Sequence, residues 1–166
     1  MKTLVLIRHA KSSWENLEQS DFERPLNERG KKDAPEMAER IKERGVKPDL
    51  IVSSPAKRAK KTARYFAEEF DINKEDIFLV DRLYEAGTDD YEEVIRALPN
   101  KHEVVFLFAH NPTITSFANT LTNVRIDDMP TCSAFAASAE VNSWKDFLES
   151  SERKFLFFDY PKNPLG

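Results

Sequence analysis

Two histidines of the chain follow shortly after apolar runs, each of which is about as long as a buried strand. His9 comes two residues after the run 3–7, and His110 comes two residues after the run 104–108. Short continuous apolar runs are typical of strands that are covered on both faces. Because ligands of open α/β sheets bind at the carboxyl ends of the strands, we expect both imidazoles in one crevice if these strands are central and parallel.

Arginines fall beside the same expected strand ends. Arg8 directly precedes His9, Arg58 lies in the first turn of the helix expected after the apolar run 50–52, and Arg24 follows the first loop. Guanidinium groups fork onto phosphate oxygens, and exposed N–H groups at helix N-termini add partial positive charge. The set predicts a pocket for a dianion, and so much positive charge suits a phosphoryl group better than sulfate or a carboxylate.

Each of these residues taken alone has a simpler interpretation. A histidine after a strand is more often a hydrogen-bonded structural residue, and Arg58 belongs to the basic run 57–61, which by itself is typical of a solvated helix face. The convergence of four residues on one sheet edge favours the functional interpretation. The third histidine, His102, lies in the charged loop 100–103, and we assign it no function.

The sequence contains neither a glycine-rich phosphate loop of the Walker type nor a His/Asp cluster with convincing metal-ligand spacing. We therefore expect no cofactor and no metal. A phosphoryl-transfer enzyme of this composition would work by covalent catalysis on a side chain, and histidine is the available nucleophile.

Composition narrows the class of protein. The 166 residues suit one domain, which we place at 1–160 with a loosely ordered tail at 161–166. The net charge of −4 argues against a nucleic acid or an anionic membrane as partner. A single cysteine, Cys132, and the lack of an apolar segment long enough for a signal or a membrane span predict a reducing, cytoplasmic location.

Strand and helix patterns alternate along the chain with short links. Asn27 should cap a helix that runs to about residue 44, and Pro35 should kink or restart that helix. Ser54 followed by Pro55 should open a second helix, which ends near residue 70. The other predicted elements are a strand at 77–80, helices at 89–98 and 111–121, a weak strand at 135–141, a helical turn at 144–148 and a strand at 155–158. The alternation predicts a three-layer α/β/α sandwich with a mostly parallel central sheet.

Three motifs, taken together and in this order, resemble the histidine phosphatase (phosphoglycerate mutase-like) superfamily. The short length and the stretch 21–30 further resemble its small branch, the SixA-like phosphohistidine phosphatases. The likeness covers roughly residues 1–120 and is specific only as a set. The motifs are Arg8-His9-Ala10, Ser54-x-x-x-Arg58-x-x-x-Thr62-Ala63 and His110-Asn111-Pro112.

The resemblance implies a role for each residue of the set. His9 would be the side chain that becomes phosphorylated, and Arg8, Arg58 and His110 would bind and neutralise the phosphoryl oxygens. Arg24 matches the extra arginine of the small branch and would also contact phosphate.

The general acid is left open by the sequence. Many superfamily members protonate the leaving oxygen with a carboxylate, and Glu85 falls in about the right stretch. An equally good interpretation makes Glu85 a loop carboxylate that caps the helix near Asp89, and Asp21 and Glu23 are lesser candidates. A phosphohistidine substrate would need no dedicated acid, because its P–N bond breaks easily.

These residues lead to a ranked set of functions. Neutral His9 would attack phosphorus in line, the arginines and a protonated His110 would bind the transition-state charge, and water would release phosphate. The chain has no long insertion to form a deep lid, which favours phosphohistidine on a protein surface over a small phosphate ester. Mutase activity is disfavoured, because it needs a closed pocket. A weakly active module that binds phosphoproteins is the alternative of another class.

Overall fold

Strands and helices alternate along residues 1–164, which a computed structural model describes. The strands are β1 (Lys2–Arg8), β2 (Leu50–Ser53), β3 (Phe78–Leu79), β4 (Val104–Ala109), β5 (Ala134–Ala139) and β6 (Lys154–Asp159). The α-helices are α1 (Glu28–Glu43), α2 (Lys57–Glu69), α3 (Thr88–Arg96), α4 (Thr113–Leu121) and α5 (Trp144–Glu149). None of the helices in this part of the chain is long and apolar enough to cross a membrane.

The six strands form one sheet in the order β3-β2-β4-β1-β5-β6. Strands β1 to β4 are parallel to one another, while β5 runs antiparallel to its neighbours β1 and β6. The prediction of a mostly parallel sheet is confirmed. It also follows that β1 and β4 are central neighbours whose carboxyl ends lie at the same edge.

Side chains of β1 alternate between two hydrophobic cores, one on each face of the sheet. Leu4 and Leu6 belong to the core covered by α3, α4 and α5. Val5 and Ile7 belong to the core covered by α1 and α2. A strand buried on both faces accounts for a continuous apolar run in place of alternating polarity. The predicted three-layer α/β/α sandwich is confirmed.

Helix α1 begins where the sequence indicates but does not restart at its proline. The Asn27 side chain accepts a hydrogen bond from the Gly30 N–H (2.9 Å), and Gly45, with φ of 82°, follows the last turn. Pro35 lies inside one continuous helix, so the expected restart is wrong. Burial of Met37 and Ile41 in the same core as the first half of the helix offsets the missing N–H of the proline.

Helix α2 begins two residues later than Ser54 and Pro55 suggest. Its N-cap is Ala56, which has no side-chain cap, and its first helical residue is Lys57. Ser54 uses its hydroxyl in the preceding turn, where it accepts a hydrogen bond from the Ala56 N–H (3.2 Å). The predicted helix start is therefore wrong by two residues, although Arg58 still lies in the first turn of α2.

After α4 the structure has β5, α5 and β6, where the sequence predicts a weak strand, a helical turn and a strand. The start of the expected loosely ordered tail is held in place. Arg40 of α1 donates hydrogen bonds to the backbone carbonyls of Tyr160 (2.9 Å) and Pro161 (3.3 Å). Residues 165–166 of that tail lie outside the described residues.

Candidate active site

The parallel pairing of β1 and β4 brings His9 and His110 together at the carboxyl edge of the sheet. Arg8 is in register with Ala109, so the two histidines leave their strands side by side. Their ring centroids are 5.2 Å apart with the planes inclined at 53°. The crevice expected from the two strand ends is therefore present.

The His9 ring is held in one tautomer by its own backbone. Its Nδ1 lies 2.7 Å from the carbonyl oxygen of Ala10. Because a carbonyl oxygen can only accept a hydrogen bond, Nδ1 carries the proton and Nε2 keeps its lone pair. Burial, reinforced by the nearby His110 and Arg58, lowers the pKa of His9 to about 3 against the opposing hydrogen bond to Ala10. The imidazole is consequently neutral at pH 7.

A threonine of α2 connects the turn after His9 to Arg58. The Ala10 N–H donates to Thr62 Oγ1 (3.0 Å), and the Thr62 hydroxyl donates to the backbone carbonyl of Arg58 (2.8 Å). All of these groups are buried. The hydroxyl therefore fixes the backbone of the histidine turn relative to the helix that carries an arginine of the site.

His110 is anchored by the serine that precedes α2. Its Nε2 lies 2.7 Å from Ser54 Oγ. Burial and, next, the charge of Arg58 lower the pKa of His110 to about 4. In the free site the surrounding cations and the loss of solvent therefore keep the ring neutral. The protonated His110 expected in the transition state stays a prediction. An entering dianion would raise this pKa by direct attraction.

Arg8 is tethered to the loop between α4 and β5. It donates from Nη1 to the backbone carbonyl of Met129 (2.9 Å), and Asn111 donates to the same carbonyl (3.1 Å). Cys132, buried and with φ of 61°, donates its N–H to the carbonyls of Arg8 and His9 (3.0 Å each). This loop fixes the backbone on the β5 side of the site.

The Asp21 carboxylate accepts hydrogen bonds from side chains of three separate segments of the chain. Arg58 of α2 donates to its carboxylate (2.9 Å) and to its backbone carbonyl (2.7 Å). Arg24 donates from Nε (3.2 Å), and the Tyr84 hydroxyl, from the loop before α3, donates at 2.8 Å. Burial alone would raise the pKa of Asp21, but the hydrogen bonds from Tyr84 and Arg58 outweigh it and lower the pKa to about 2. The ionised carboxylate thus positions two of the site's arginines.

Arg24 lies at the mouth of the site between the first loop and the helices. Besides Asp21 it contacts the hydroxyl of Ser12, and its guanidinium stacks over the ring of Trp14 at 3.5 Å. The Trp14 side chain itself is 68% exposed. Stacking and ion pairing together hold the arginine at the cavity despite its long side chain.

The side chains surround an open cavity of about 530 Å³. Three of its polar nitrogens, Arg8 Nε, Arg58 Nε and His110 Nδ1, are buried without a hydrogen-bond partner within residues 1–164. Such groups are uncommon in folded proteins and mark strained or functional positions. The cavity is lined by Arg8, His9, Lys11, Ser12, Trp14, Asp21, Arg24, Arg58, Tyr84, Glu85, His110, Asn111 and Thr131. Its electrostatic character suits an anion.

The structure separates the three carboxylates considered as general acid. Asp21 is ion-paired, as described, and Glu23 lines a neighbouring groove instead of the cavity. Glu85 lines the cavity, is exposed, and adopts φ of 55°, which is uncommon for a residue other than glycine. The cap of α3 is made by Asp90, which accepts from the Gly87 N–H (3.0 Å). Glu85 is therefore not the cap of that helix.

Sequence reasoning missed some of the residues that build the site. Tyr84 was overlooked, although it directly precedes Glu85 in the stretch that drew attention to that carboxylate. Trp14 and Ser12 lie in a loop without periodicity, so no pattern indicated them. His102 does not line the cavity, and its Nδ1 is 3.8 Å from Asp49. Among residues 1–164, no group of three or more His, Cys, Asp or Glu side chains is arranged to hold a metal ion.

The fold and this constellation define a class of phosphoryl-transfer proteins. A sequence profile of the histidine phosphatase superfamily (branch 1) matches residues 4–96, and the chain belongs to that superfamily.

Two related sequences resemble this chain over different lengths. An uncharacterized chloroplastic protein of Arabidopsis thaliana is 28% identical over 153 residues, which cover 87% of this chain and 70% of the plant protein. A 2,3-bisphosphoglycerate-dependent phosphoglycerate mutase of Bartonella henselae is 32% identical over 105 residues, or 62% of this chain and 48% of the mutase. The chain thus spans about half the length of this mutase.

Solved structures share the whole architecture. A SixA protein of Agrobacterium tumefaciens, whose assignment as a phosphohistidine phosphatase is provisional, is 27% identical with a TM-score of 0.79, covering 96% of this chain and 98% of its own. A protein histidine phosphatase SixA in complex with tungstate also has a TM-score of 0.79, at 18% identity over 96% of this chain and 97% of its own. At that identity the second likeness shows the fold alone.

Proposed function

We propose that the protein is a phosphatase that acts through a phosphohistidine intermediate on His9 and removes phosphate from phosphohistidine on a protein. The observation that carries the proposal is the state of His9. Its Nδ1–H is bound by the Ala10 carbonyl, which leaves the Nε2 lone pair in a cavity that also holds Arg8, Arg58 and His110. A neutral, oriented imidazole among cations is suited to attack phosphorus.

The reaction takes place in two displacements. His9 Nε2 forms a bond to phosphorus while the P–N bond of the substrate breaks, and the leaving imidazole takes a proton from solvent. Water then attacks phosphorus, which releases phosphate and regenerates neutral His9. In both steps charge spreads over the equatorial phosphoryl oxygens, and Arg8 and Arg58 stabilise it. Arg24, at the mouth, contributes to binding the incoming phosphate.

The substrate class is inferred from the leaving group and the opening of the cavity. Asp21 is held ionised by its ion pairs and is therefore poorly suited to donate a proton to a leaving group. The imidazole of a phosphohistidine is a good leaving group, so its P–N bond breaks without a strong general acid. The mouth is bordered by the exposed Trp14, and Leu17 of the same loop is 89% exposed, which suits a histidine presented on a protein surface. The proposal includes catalysis without a metal, because arginines supply the positive charge. It also includes a reducing cytoplasmic location, in keeping with the single buried Cys132.

The covalent step is tested by trapping the intermediate. Brief incubation with phosphoramidate, with chelator present, should label the wild-type protein with phosphate that is labile in acid and stable in base, located on His9 by intact-mass and peptide analysis. His9→Ala should carry no label, because the nucleophile is gone. His102→Ala is the matched control and should label as the wild type does. Absence of label on the wild type under single-turnover conditions rejects the covalent pathway.

The substrate is tested by comparing rates on three phosphodonors. Chelator-treated protein should have a higher kcat/KM for a phosphohistidine protein than for p-nitrophenyl phosphate or an alkyl phosphate. A reversed order favours a small-molecule phosphomonoesterase. Tight binding of a phosphoprotein with no turnover of any donor favours the binding module.

A further inference from the structure

A second depression lies beside the active site, and five of its ten lining residues are cations. We call it the basic groove and define it by Lys31, Lys57, Lys60, Lys61 and Arg64. It has a volume of about 450 Å³, and its apolar floor includes Phe22 and Leu26. Such a concentration of positive charge contrasts with the net charge of −4 of the whole chain.

Most of the groove's charge is not neutralised by the protein. Lys31 pairs with Glu28 at 3.4 Å, and Lys61 lies 5.3 Å from the centre of the Tyr65 ring. Within residues 1–164, no ion pair involves the other three cations, which are Lys57, Lys60 and Arg64. Glu23 is the acidic residue among those that line the groove. The surface therefore has a net attraction for an anionic partner.

The arrangement of the cations on α2 is unfavourable for the helix itself. Residues 57, 60, 61 and 64 are three or four positions apart and so lie along one face, where like charges repel. The first turns of a helix favour acidic side chains, yet the first acidic residue of α2 is Glu68. Local helix stability does not explain this pattern, whereas recognition of an anionic partner does.

The groove and the active site share one short segment of chain. Asp21 and Arg24 line the active-site cavity, while Phe22 and Glu23, which lie between them, line the groove. The groove therefore adjoins the cavity, within reach of residues that neighbour a side chain placed at His9.

We propose that the basic groove binds an acidic segment of the phosphoprotein substrate next to its phosphohistidine. This proposal rests on the proposed function for the identity of the substrate. The groove supplies long, flexible ammonium and guanidinium groups over an apolar floor, which suits carboxylate side chains on an amphipathic segment. An elongated nucleic acid is a poorer occupant, because the whole chain has a net charge of −4 although the groove is basic.

The test uses two phosphohistidine peptides of equal length, one flanked by glutamates and one by glutamines. At low ionic strength the wild-type kcat/KM should favour the glutamate peptide by about 10-fold or more, since electrostatic steering changes association rates by at least this factor. The ratio should fall towards one in Lys60→Glu/Lys61→Glu/Arg64→Glu and as salt is raised. Lys57 is left unchanged because it adjoins Arg58.

A matched variant separates the groove from total charge. Lys101, Lys145 and Lys154 are exposed and lie near the amino end of β1 or the start of β6, away from the cavity. Their triple replacement by glutamate changes the net charge equally and should preserve the wild-type preference. If circular dichroism shows that Lys60→Glu/Lys61→Glu/Arg64→Glu does not fold, the double variant Lys60→Gln/Arg64→Gln takes its place.

Binding of the unphosphorylated, fluorescently labelled peptides gives an independent measurement. The glutamate peptide should bind the wild type more tightly than the glutamine peptide, and the groove variant should lose the difference. Equal behaviour of the two peptides with the wild type, or the same loss in the matched variant, overturns the groove proposal. Tighter binding of a single-stranded oligonucleotide in the groove also overturns it. If neither phosphopeptide is hydrolysed, the proposed substrate class fails, while the binding measurement still decides the groove.

Discussion

At the scale of single residues, Asp21 and Thr62 hold other residues of the candidate site in place. Asp21 positions Arg58 and Arg24 through ion pairs. Thr62 ties the turn after His9 to the backbone of α2 through one hydroxyl. Such positioning matters because displacements of about 1 Å can reduce the rate of an enzyme by roughly 10²-fold.

The role of Thr62 leads to a paired substitution. Thr62→Val keeps the shape but leaves the buried Ala10 N–H without an acceptor, which should cost about 1–3 kcal/mol in the free energy of unfolding. It should also reduce kcat for phosphoramidate, because the histidine turn loses its link to α2. Urea unfolding and steady-state kinetics measure the two effects. Thr62→Ser retains the hydroxyl and should restore most of the rate; equal kinetics in the two variants would contradict the positioning role.

The residues found from the sequence are those that follow strands. His9, His110, Arg8 and Arg58 were indicated because strand ends and helix starts meet at one edge of a parallel sheet. Tyr84 could not be found this way, because its partner Asp21 is 63 positions away and the contact depends on tertiary packing. The lowered pKa of His110 in the free site could not be found this way either, since burial and neighbouring charges cannot be obtained from residue types.

At the scale of elements, the start of α1 is packed against the loop that carries the mouth of the site. A Cβ on Gly30 would lie 2.2 Å from the backbone oxygen of Lys11. The Asn27 N–H donates to that same oxygen (3.0 Å). Glycine is therefore needed here for a close backbone contact, which fixes the chain two residues beyond His9.

Substitution of this glycine tests the contact. Gly30→Ala favours the helix by propensity, but the clash with Lys11 is backbone against backbone and should dominate, lowering the free energy of unfolding by about 1–3 kcal/mol. It should also lower kcat/KM, because the displaced loop carries Arg24. Gly87→Ala is the control, since a Cβ there meets no atom within 4 Å. Unfolding temperatures of both variants equal to that of the wild type would refute the packing argument.

The elements themselves were predicted where one local signal dominates. Continuous apolar runs located β1, β2 and β4, and the Asn27 cap located α1. The start of α2 was misplaced because Ser54 serves a turn and contacts His110, a use that its sequence neighbours do not reveal. Helix α1 continues through Pro35 because burial of its apolar side chains outweighs the helix-breaking tendency of proline.

At the scale of the whole molecule, burying two histidines in a cationic cavity makes stability depend on pH. The folded-state pKa values of His9 and His110 are lowered from 6.5 to about 3 and about 4. In the unfolded chain both rings bind a proton near pH 6.5, whereas the folded chain resists protonation. Protons therefore favour unfolding as the pH falls from 6.5 to about 4, and this contribution vanishes above pH 6.5.

This linkage predicts a specific loss of stability in acid. Between pH 7.5 and pH 5.0 each of the two histidines should reduce the free energy of unfolding by about 2 kcal/mol. His110→Gln should remove about half of the dependence contributed by the pair, whatever its stability at neutral pH. Urea unfolding at the two pH values measures the difference within each protein. Phosphate should restore part of the loss in the wild type, because a bound anion stabilises the folded state and raises the pKa of His110. A variant with the same pH dependence as the wild type would show that folding does not lower the pKa of His110, and the effect of burial and neighbouring cations described above would then be wrong.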